Sequence, residues 1–219
     1  MSLKKSLGLI LAILLIDQVS KFYIKTHFEL NDSYHIASWF KIYFVENDGM
    51  AWGTRISDFI PFISDKVAKF SLTIFRIVAL IGIGYWLFQT TKRQGDKLLI
   101  SAISLVFAGA LGNILDSVFY GVLFDSSLGQ VATFLPEQGY ASLLHGKVVD
   151  MLYFPLWKGY LPDWIPFMGG KYFTFFEPVF NIADVAISIG FVILIVFNKR
   201  VFRKEIQEEK ENTLLGETQ

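Results

Sequence analysis

The sequence predicts an all-α membrane protein with four transmembrane helices, a small extracytoplasmic β-rich subdomain and an interfacial aromatic loop. Three observations lead to this class. The 219-residue chain is 53% hydrophobic and has a mean hydropathy of +0.45. Only 18% of its residues are charged, whereas soluble domains average about 25%. The hydrophobic residues are also collected into four long runs, as in a protein that crosses a bilayer several times.

Each of these runs is close to the length of roughly 20 residues that a helix needs to cross the hydrocarbon core. They cover about residues 7–23, 70–88, 98–120 and 180–197. The first run follows Lys4 and Lys5, as in a signal peptide, but no small-residue cleavage site comes after it. We therefore expect the first run to be retained as a span.

The distribution of Lys and Arg predicts the orientation of the spans. Basic residues precede the first span, crowd the short link between the second and third, and directly follow the fourth. The two long loops, about 25–69 and 121–179, are poorer in them. We therefore expect both termini in the cytoplasm and both long loops outside. Residues 1–204 are predicted to be one membrane-embedded domain, and 205–219 a charged cytoplasmic tail.

Aromatic and turn residues predict different structures in the two outer loops. In the first, Ile36–Val45 alternates loosely and favours a β-strand. Asn47, Asp48 and Gly49 then form a turn signal, and Met50 can begin a returning strand. The second loop is dense in Trp, Tyr and Phe, which favour the headgroup region of a membrane. We expect that loop to lie on the membrane surface.

Three carboxylates lie in or beside the apolar runs, where an ionisable group is expensive and is usually kept for function. In the predicted topology, Asp17 and Asp116 lie late in outward-running spans, and Asp184 lies early in an inward-running span. All three therefore reach a similar depth near the outer face. A single site in the outer part of the membrane explains this agreement.

Two of these acids follow an asparagine by three residues, in the pairs Asn113–Asp116 and Asn181–Asp184. On a helix such residues share a face, so each Asn can orient its Asp. Simpler interpretations stay open. Asp184 can be a helix N-terminal acid stabilised by the macrodipole, and Asp116 can serve only to hold two helices together.

Other charged residues have equally open roles. Asp17 precedes Lys21 by four residues, so a plain intrahelical ion pair is an alternative to a place in the site. Arg76, near the outer end of the second span, can extend toward the interface or pair with one of the acids. Asp150 belongs to the second loop, where an acid is normally exposed. Its short apolar flanks are the only local sign that it turns inward.

Two carboxyl groups brought together can hydrolyse an amide. Their proximity separates their pKa values, so that one is ionised and activates water while the other donates to the carbonyl oxygen. The chain has no cysteine, which excludes thiolate sites, and its three His residues lack zinc-site spacing. We therefore expect neither a metal nor another cofactor. From the residues alone, the pair would be Asp116 and Asp184.

The balance of 20 basic and 20 acidic residues gives no indication of nucleic-acid binding. Two other classes of membrane protein stay open. Proton-coupled transporters also use intramembrane acids, although such proteins tend to have internal repeats, which this sequence does not show. A noncatalytic membrane scaffold is the second alternative.

Five short motifs occur in order along most of the chain. They are Asp17-Gln18-Val19-Ser20-Lys21, Asn47-Asp48-Gly49-Met50-Ala51-Trp52-Gly53, Gly109-Ala110-Leu111-Gly112-Asn113-Ile114-Leu115-Asp116, Val148-Val149-Asp150 and Phe180-Asn181-Ile182-Ala183-Asp184. In these motifs the chain resembles lipoprotein signal peptidase (signal peptidase II), a family of four-span bacterial aspartic proteases. Five motifs in family order, with matching topology, make the resemblance specific.

The resemblance implies that Asp150 and Asp184 are the catalytic pair. It implies supporting roles for Asn113, Asp116, Asn181 and Ala183 around the site, for Asp17 and Lys21 at the outer end of the first span, and for Asn47 and Gly49 in a loop that covers the substrate. The implied substrate is a bacterial prolipoprotein with a diacylglyceryl-modified cysteine, cleaved just before that cysteine at the cytoplasmic membrane. Membrane lipid is the other expected partner, and we expect a monomer.

The chain departs from the family pattern in two places. The family usually has Arg after the Asp of the third motif, and this chain has Ser117. Arg76 is a candidate to replace that lost guanidinium. The stretch between Asp116 and Asp150 is also longer than the family leads us to expect, with extra sequence around 124–144.

Overall fold

Three helices in the described part of the chain are long and apolar enough to cross a membrane. They are α1 (Leu3–His27), α2 (Asp65–Lys92) and the helical segment Lys97–Leu123. That last segment comprises α3 (Lys97–Leu115), a π-helical turn (Asp116–Tyr120) and the short α4 (Gly121–Leu123). A shorter apolar helix of 15 residues, α5 (Ile182–Val196), is followed by α6 (Asn198–Val201). Apolar helices are thus confirmed at all four predicted positions, three of them long.

The computed structural model describes residues 1–48, 64–175 and 178–202. The predicted Gly49 turn, the returning strand from Met50 and the tail at 205–219 lie outside the described residues. The chain divides into two compact units. The first comprises Met1–Val19, Val67–Leu115 and Ile182–Gln219, and the second comprises Ser20–Lys66 and Asp116–Asn181.

The first unit contains the apolar helical core. Its buried residues are Ile10, Leu87, Leu99, Ile100, Ile103, Ala108 and Val201. Glycines of α3 bring that helix close to the start of α5. A Cβ added at Gly109 would lie 2.2 Å from the carbonyl oxygen of Ala183, so only glycine fits there. This close approach places the first turn of α5 directly beside α3.

The second unit contains two antiparallel sheets. Its larger sheet has the order β1-β2-β3-β6, with β1 (Ser33–Ala37), β2 (Phe40–Asn47), β3 (Val148–Tyr153) and β6 (Val179–Phe180). The smaller sheet is the hairpin of β4 (Trp157–Tyr160) and β5 (Tyr172–Phe175). The apolar core of this unit consists of Ile24, Phe44, Tyr120, Phe124, Ala132, Val149 and Met151.

The predicted apolar helices and the β-rich subdomain are present, but the class all-α was wrong, because the antiparallel sheet makes the fold mixed. The predicted strand Ile36–Val45 is confirmed as β structure, but Ser38 and Trp39 form a turn that divides it into β1 and β2. The main partner of β2 is β3 from the second loop. Pairing between strands so distant in sequence leaves no local signal, which is why the sequence predicted a β-rich subdomain but not the β2–β3 pairing.

Candidate active site

The carboxylate of Asp150 lies on β3 and receives a side-chain amide at each oxygen. Asn47, at the end of β2, donates to Oδ2 at 3.2 Å. Asn181 donates to Oδ1 at 2.7 Å. Only 3% of Asp150 is exposed, although an acid in a loop is normally exposed. Strand pairing buries this residue although no apolar span contains it.

Strand β6 brings Asn181 to this position. Its last residue, Phe180, pairs with Leu152 of β3, and Asn181 follows directly. The Asn181 amide also lies 3.4 Å from the carbonyl oxygen of Val149. The side chain of Asn181 is therefore held against both the backbone and the carboxylate of β3.

A buried ion pair supports the backbone just before Asp150. The Lys21 ammonium of α1 lies 2.8 Å from Oδ2 of Asp116, and both side chains are fully excluded from solvent. The same oxygen accepts the backbone N–H of Val149 at 3.3 Å. Asp116 begins the π-helical turn, a feature that is often found at functional sites. We call Asp150 and these four neighbours, Asn47, Asn181, Asp116 and Lys21, the Asp150 cluster.

Asp184 lies in the first turn of α5, within the other unit. Asn113 of α3 donates its side-chain amide to Oδ1 of Asp184 at 2.8 Å. Arg76 of α2 is half-buried and interacts electrostatically with Asp184. The carboxylate therefore has an amide donor and an attractive positive charge.

Asp17 of α1 caps the beginning of α5. Its Oδ1 accepts the backbone N–H of Ala183 at 2.9 Å, which satisfies one of the N–H groups that a helix N-terminus leaves unpaired. The Gln18 side chain donates to Oδ2 of Asp17 at 3.0 Å and to the carbonyl oxygen of Gly112 at 3.2 Å. We call Asp184, Asn113, Ala183, Asp17 and Arg76 the Asp184 cluster.

The predicted site residues within the described chain thus form two clusters, one in each unit. The asparagines contact acids from other motifs: Asn113 of the third motif donates to Asp184 of the fifth, and Asn181 donates to Asp150. Gln18 was not predicted to have a role, although its place beside Asp17 in the first motif was the available signal. Across the described residues there is no group of three or more His, Cys, Asp or Glu side chains that could hold a metal ion.

Apolar helices, together with a buried carboxylate on β3 and a half-buried one on α5 that each accept a side-chain amide, fit the class of membrane-embedded aspartic peptidases. Comparison with known proteins agrees with that class: residues 9–199 match the family described as signal peptidase (SPase) II. The chain belongs to the signal peptidase II family.

Several relatives have the same family name. A lipoprotein signal peptidase of Porphyromonas gingivalis is 46% identical over 191 residues, covering 86% of this chain and 80% of that protein. One of Amoebophilus asiaticus is 37% identical over 213 residues, covering 95% of this chain and 83% of that protein. A solved structure of a bacterial membrane enzyme, determined in meso at 1.9 Å resolution, has a TM-score of 0.58 and 25% identity. The match covers 90% of this chain and 94% of that one.

Proposed function

We propose that this chain is a lipoprotein signal peptidase, an aspartic endopeptidase that removes signal peptides from bacterial prolipoproteins. The observation that carries the proposal is the family match over residues 9–199. It is supported by a carboxylate in each unit that accepts a side-chain amide, the half-buried Asp184 and the buried Asp150. The substrate class is a prolipoprotein with a diacylglyceryl-modified cysteine, cleaved just before that residue.

We assign the catalytic roles to Asp150 and Asp184. Asn181 supports this pairing, because it donates to Asp150 and precedes Asp184 by only three residues in the chain. The proposed mechanism uses one of the two carboxyl groups in its ionised form and the other in its neutral form. One ionised and one neutral acid are the two groups that amide hydrolysis by activated water requires.

The ionised carboxylate takes a proton from water as the water oxygen attacks the scissile carbonyl carbon. The neutral carboxyl donates to the carbonyl oxygen, which stabilises the charge that develops there. Collapse of the tetrahedral intermediate breaks the C–N bond, and the leaving amine takes up a proton from the pair. The products are the free signal peptide and a lipoprotein with an α-amino group on its modified cysteine.

The remaining site residues position these two acids. Asn47 and Asn181 orient the carboxylate of Asp150, and Asn113 orients that of Asp184. The backbone beside Asp150 is held by Asp116 with Lys21, and the backbone beside Asp184 is held by Asp17 through the Ala183 N–H.

We assign Arg76 to the substrate or to Asp184, in place of the family Arg that is Ser117 here. Gly49 is assigned to the loop that covers the substrate.

The proposed location is the bacterial cytoplasmic membrane, with α5 as the fourth, shorter span. Both termini lie in the cytoplasm, residues 1–204 act as one embedded domain, and the catalytic acids face the outer leaflet. The hairpin of β4 and β5 meets the headgroup region, because its connection exposes Trp164 by 80% and Phe167 by 95%. The enzyme works as a monomer with membrane lipid and the prolipoprotein as its partners.

The test uses purified protein in detergent with a diacylglyceryl-modified prolipoprotein. We expect cleavage by the wild type and none by Asp150→Asn or Asp184→Asn. Asp163→Asn changes an exposed acid of the β4–β5 connection in the same way and is the matched control, which should cleave normally. Cleavage that survives either site variant would reject the catalytic pair. An inactive wild type would favour a proton-coupled transporter or a noncatalytic scaffold.

A further inference from the structure

Lys25, close to the end of α1, is a fully buried cation in the apolar core of the second unit. Its ammonium forms an ion pair with Oε1 of Glu46 on β2 and donates to the Ser127 hydroxyl at 2.8 Å. It also lies 4.7 Å from the centroid of the Tyr140 ring. Burial of a charge is energetically costly before its partners compensate. A side chain this costly to bury is a candidate for a role other than stability.

Glu46 also forms a second ion pair, with Lys147. Its Oε2 lies 3.5 Å from the ammonium of Lys147, the residue that immediately precedes β3, and only 7% of its side chain is exposed. Ser127 and Tyr140, which surround Lys25, belong to the extra sequence between Asp116 and Asp150. The end of β2 is therefore tied to α1, to the start of β3 and to this extra segment through one carboxylate.

The strand register places Glu46 and Asn47 on opposite faces of the sheet. Glu46 pairs with Val149, a fully buried core residue, and Val45 pairs with Asp150. Because side chains alternate along a strand, Asn47 shares the face of Val45 and Asp150. This is the face on which Asn47 donates to the Asp150 carboxylate.

A slip of one residue would exchange these faces. Asn47 would then enter the apolar core, and the Glu46 carboxylate would face Asp150. A bulge separates the earlier part of β2 from the end of the strand. The register shifts between Ile42, which pairs with Leu152, and Val45. Such a bulge disrupts the ladder locally, and from this we infer that the last three residues of β2 depend on a constraint of their own.

We propose that the buried Lys25–Glu46 ion pair is a register lock for the active site. It keeps Glu46 on the core face and thereby keeps Asn47 on the face of Asp150. Lys25 and Glu46 are thus positioning residues that act through Asn47, and the extra segment completes their enclosure. The importance of this lock for catalysis rests on the proposed function. Its effect on the register of β2 and β3 does not depend on that function.

Disulfide trapping tests the register directly, since the chain contains no cysteine. Asn47→Cys with Val148→Cys places two thiols directly opposite each other after the bulge, at a separation that a disulfide can bridge. Lys41→Cys with Tyr153→Cys is the matched control pair before the bulge. We expect Lys25→Met to lower the yield of the first cross-link several-fold and to leave the control cross-link unchanged.

An unchanged yield at the first pair would overturn the lock. A parallel loss at both pairs would also overturn it, because it would show general loosening of the sheet. Glu46→Gln, which keeps the shape and one acceptor oxygen, repeats the experiment if Lys25→Met fails to fold. It should lower the same cross-link selectively.

Cleavage kinetics test whether Glu46 acts on catalysis through Asn47. Glu46→Gln should lower kcat for prolipoprotein cleavage by roughly 10-fold with KM unchanged, and by less than about twofold when Asn47→Ala is already present. Equal losses in both backgrounds would indicate a merely structural role and would overturn the proposal. Failure of the wild type to cleave would instead reject the proposed function, and the cross-linking result would still decide the lock.

Discussion

The carboxylate of Asp17 accepts the backbone N–H of Ala183 at 2.9 Å, one residue before Asp184. The carboxylate of Asp116 accepts the backbone N–H of Val149, one residue before Asp150, at 3.3 Å. Each proposed catalytic acid is therefore preceded by a peptide group that a buried carboxylate holds in place. This correspondence separates the two proposed catalytic acids from the two buried acids that anchor the backbone.

Asp17→Ala should reduce both stability and activity, because it leaves the N-terminus of α5 without its cap. We expect a loss of about 1 kcal/mol in the free energy of unfolding, typical of a lost helix cap, and a lower kcat. Asp17→Asn keeps an oxygen acceptor for the Ala183 N–H and should retain most of both. Unfolding in detergent and initial cleavage rates measure the two effects. Equal damage from both variants would contradict a capping role.

Lys21→Met should destabilise the protein strongly, because it leaves the Asp116 carboxylate buried without its cation. Breaking one side of a buried ion pair typically costs about 3–5 kcal/mol. Adding Asp116→Asn removes the uncompensated charge and keeps an acceptor for the Val149 N–H. The double variant should therefore be more stable than Lys21→Met alone. The thermal midpoints of the three proteins check this, and additive losses would reject it.

Gly109→Ala should separate α3 from α5. The added Cβ would lie 2.2 Å from the Ala183 carbonyl oxygen and 2.7 Å from the Ile187 side chain, so the helices must move apart. We expect a loss of stability of about 1–3 kcal/mol, as for other overpacked positions, together with a lower cleavage rate. Gly82→Ala on α2 is the control, because nothing lies within 4 Å of its added Cβ. That variant should be neutral or slightly more stable.

Tyr140 should make the protein sensitive to alkaline pH. Burial raises the pKa of its hydroxyl, which also accepts the backbone N–H of Lys147 at 2.7 Å. Since the folded state favours the neutral phenol, its contribution to stability is complete below the unfolded pKa of about 10 and is lost as the pH rises above it. Unfolding midpoints measured against pH should therefore fall less steeply in Tyr140→Phe. The exposed Tyr160, changed to Phe, should leave the profile unaltered.

Arg76→Ala should lower kcat sharply if Arg76 replaces the guanidinium that the family carries at the position of Ser117. A decrease of roughly 10- to 100-fold would correspond to the loss of one charged interaction with the reacting groups. Arg93→Ala, an exposed basic residue beyond the end of α2, is the control and should cleave normally. Near-normal turnover by Arg76→Ala would show that this position is not a substitute.

Local patterns predicted the helices well, and the long-range contacts poorly. Apolar runs set the approximate positions of all four helices because hydrophobicity and length are properties of a continuous segment. The burial of Asp150 was not predictable in this way, since it depends on strands that are far apart in the sequence. Helical spacing also suggested that each Asn orients the Asp three residues later, whereas Asn113 contacts Asp184 and Asn181 contacts Asp150.

The family motifs indicated a site residue that local sequence patterns did not. The resemblance implied a catalytic role for Asp150, which no local pattern did. The Lys25–Glu46 ion pair lies outside those motifs, and neither residue has a local signal of burial. The pair forms only where α1 packs against β2, a contact that no local pattern predicts.

The π-helical turn from Asp116 to Tyr120 changes the phase of the helix that contains it. A turn with i→i+5 hydrogen bonds accommodates one more residue than an α-helical turn. A helical wheel continued from Lys97 through Leu123 would therefore assign the wrong faces from Ser117 onward. When functional positions are transferred between this chain and a relative whose helix is regular, the segments before and after the turn must be aligned separately, with a one-residue gap between them.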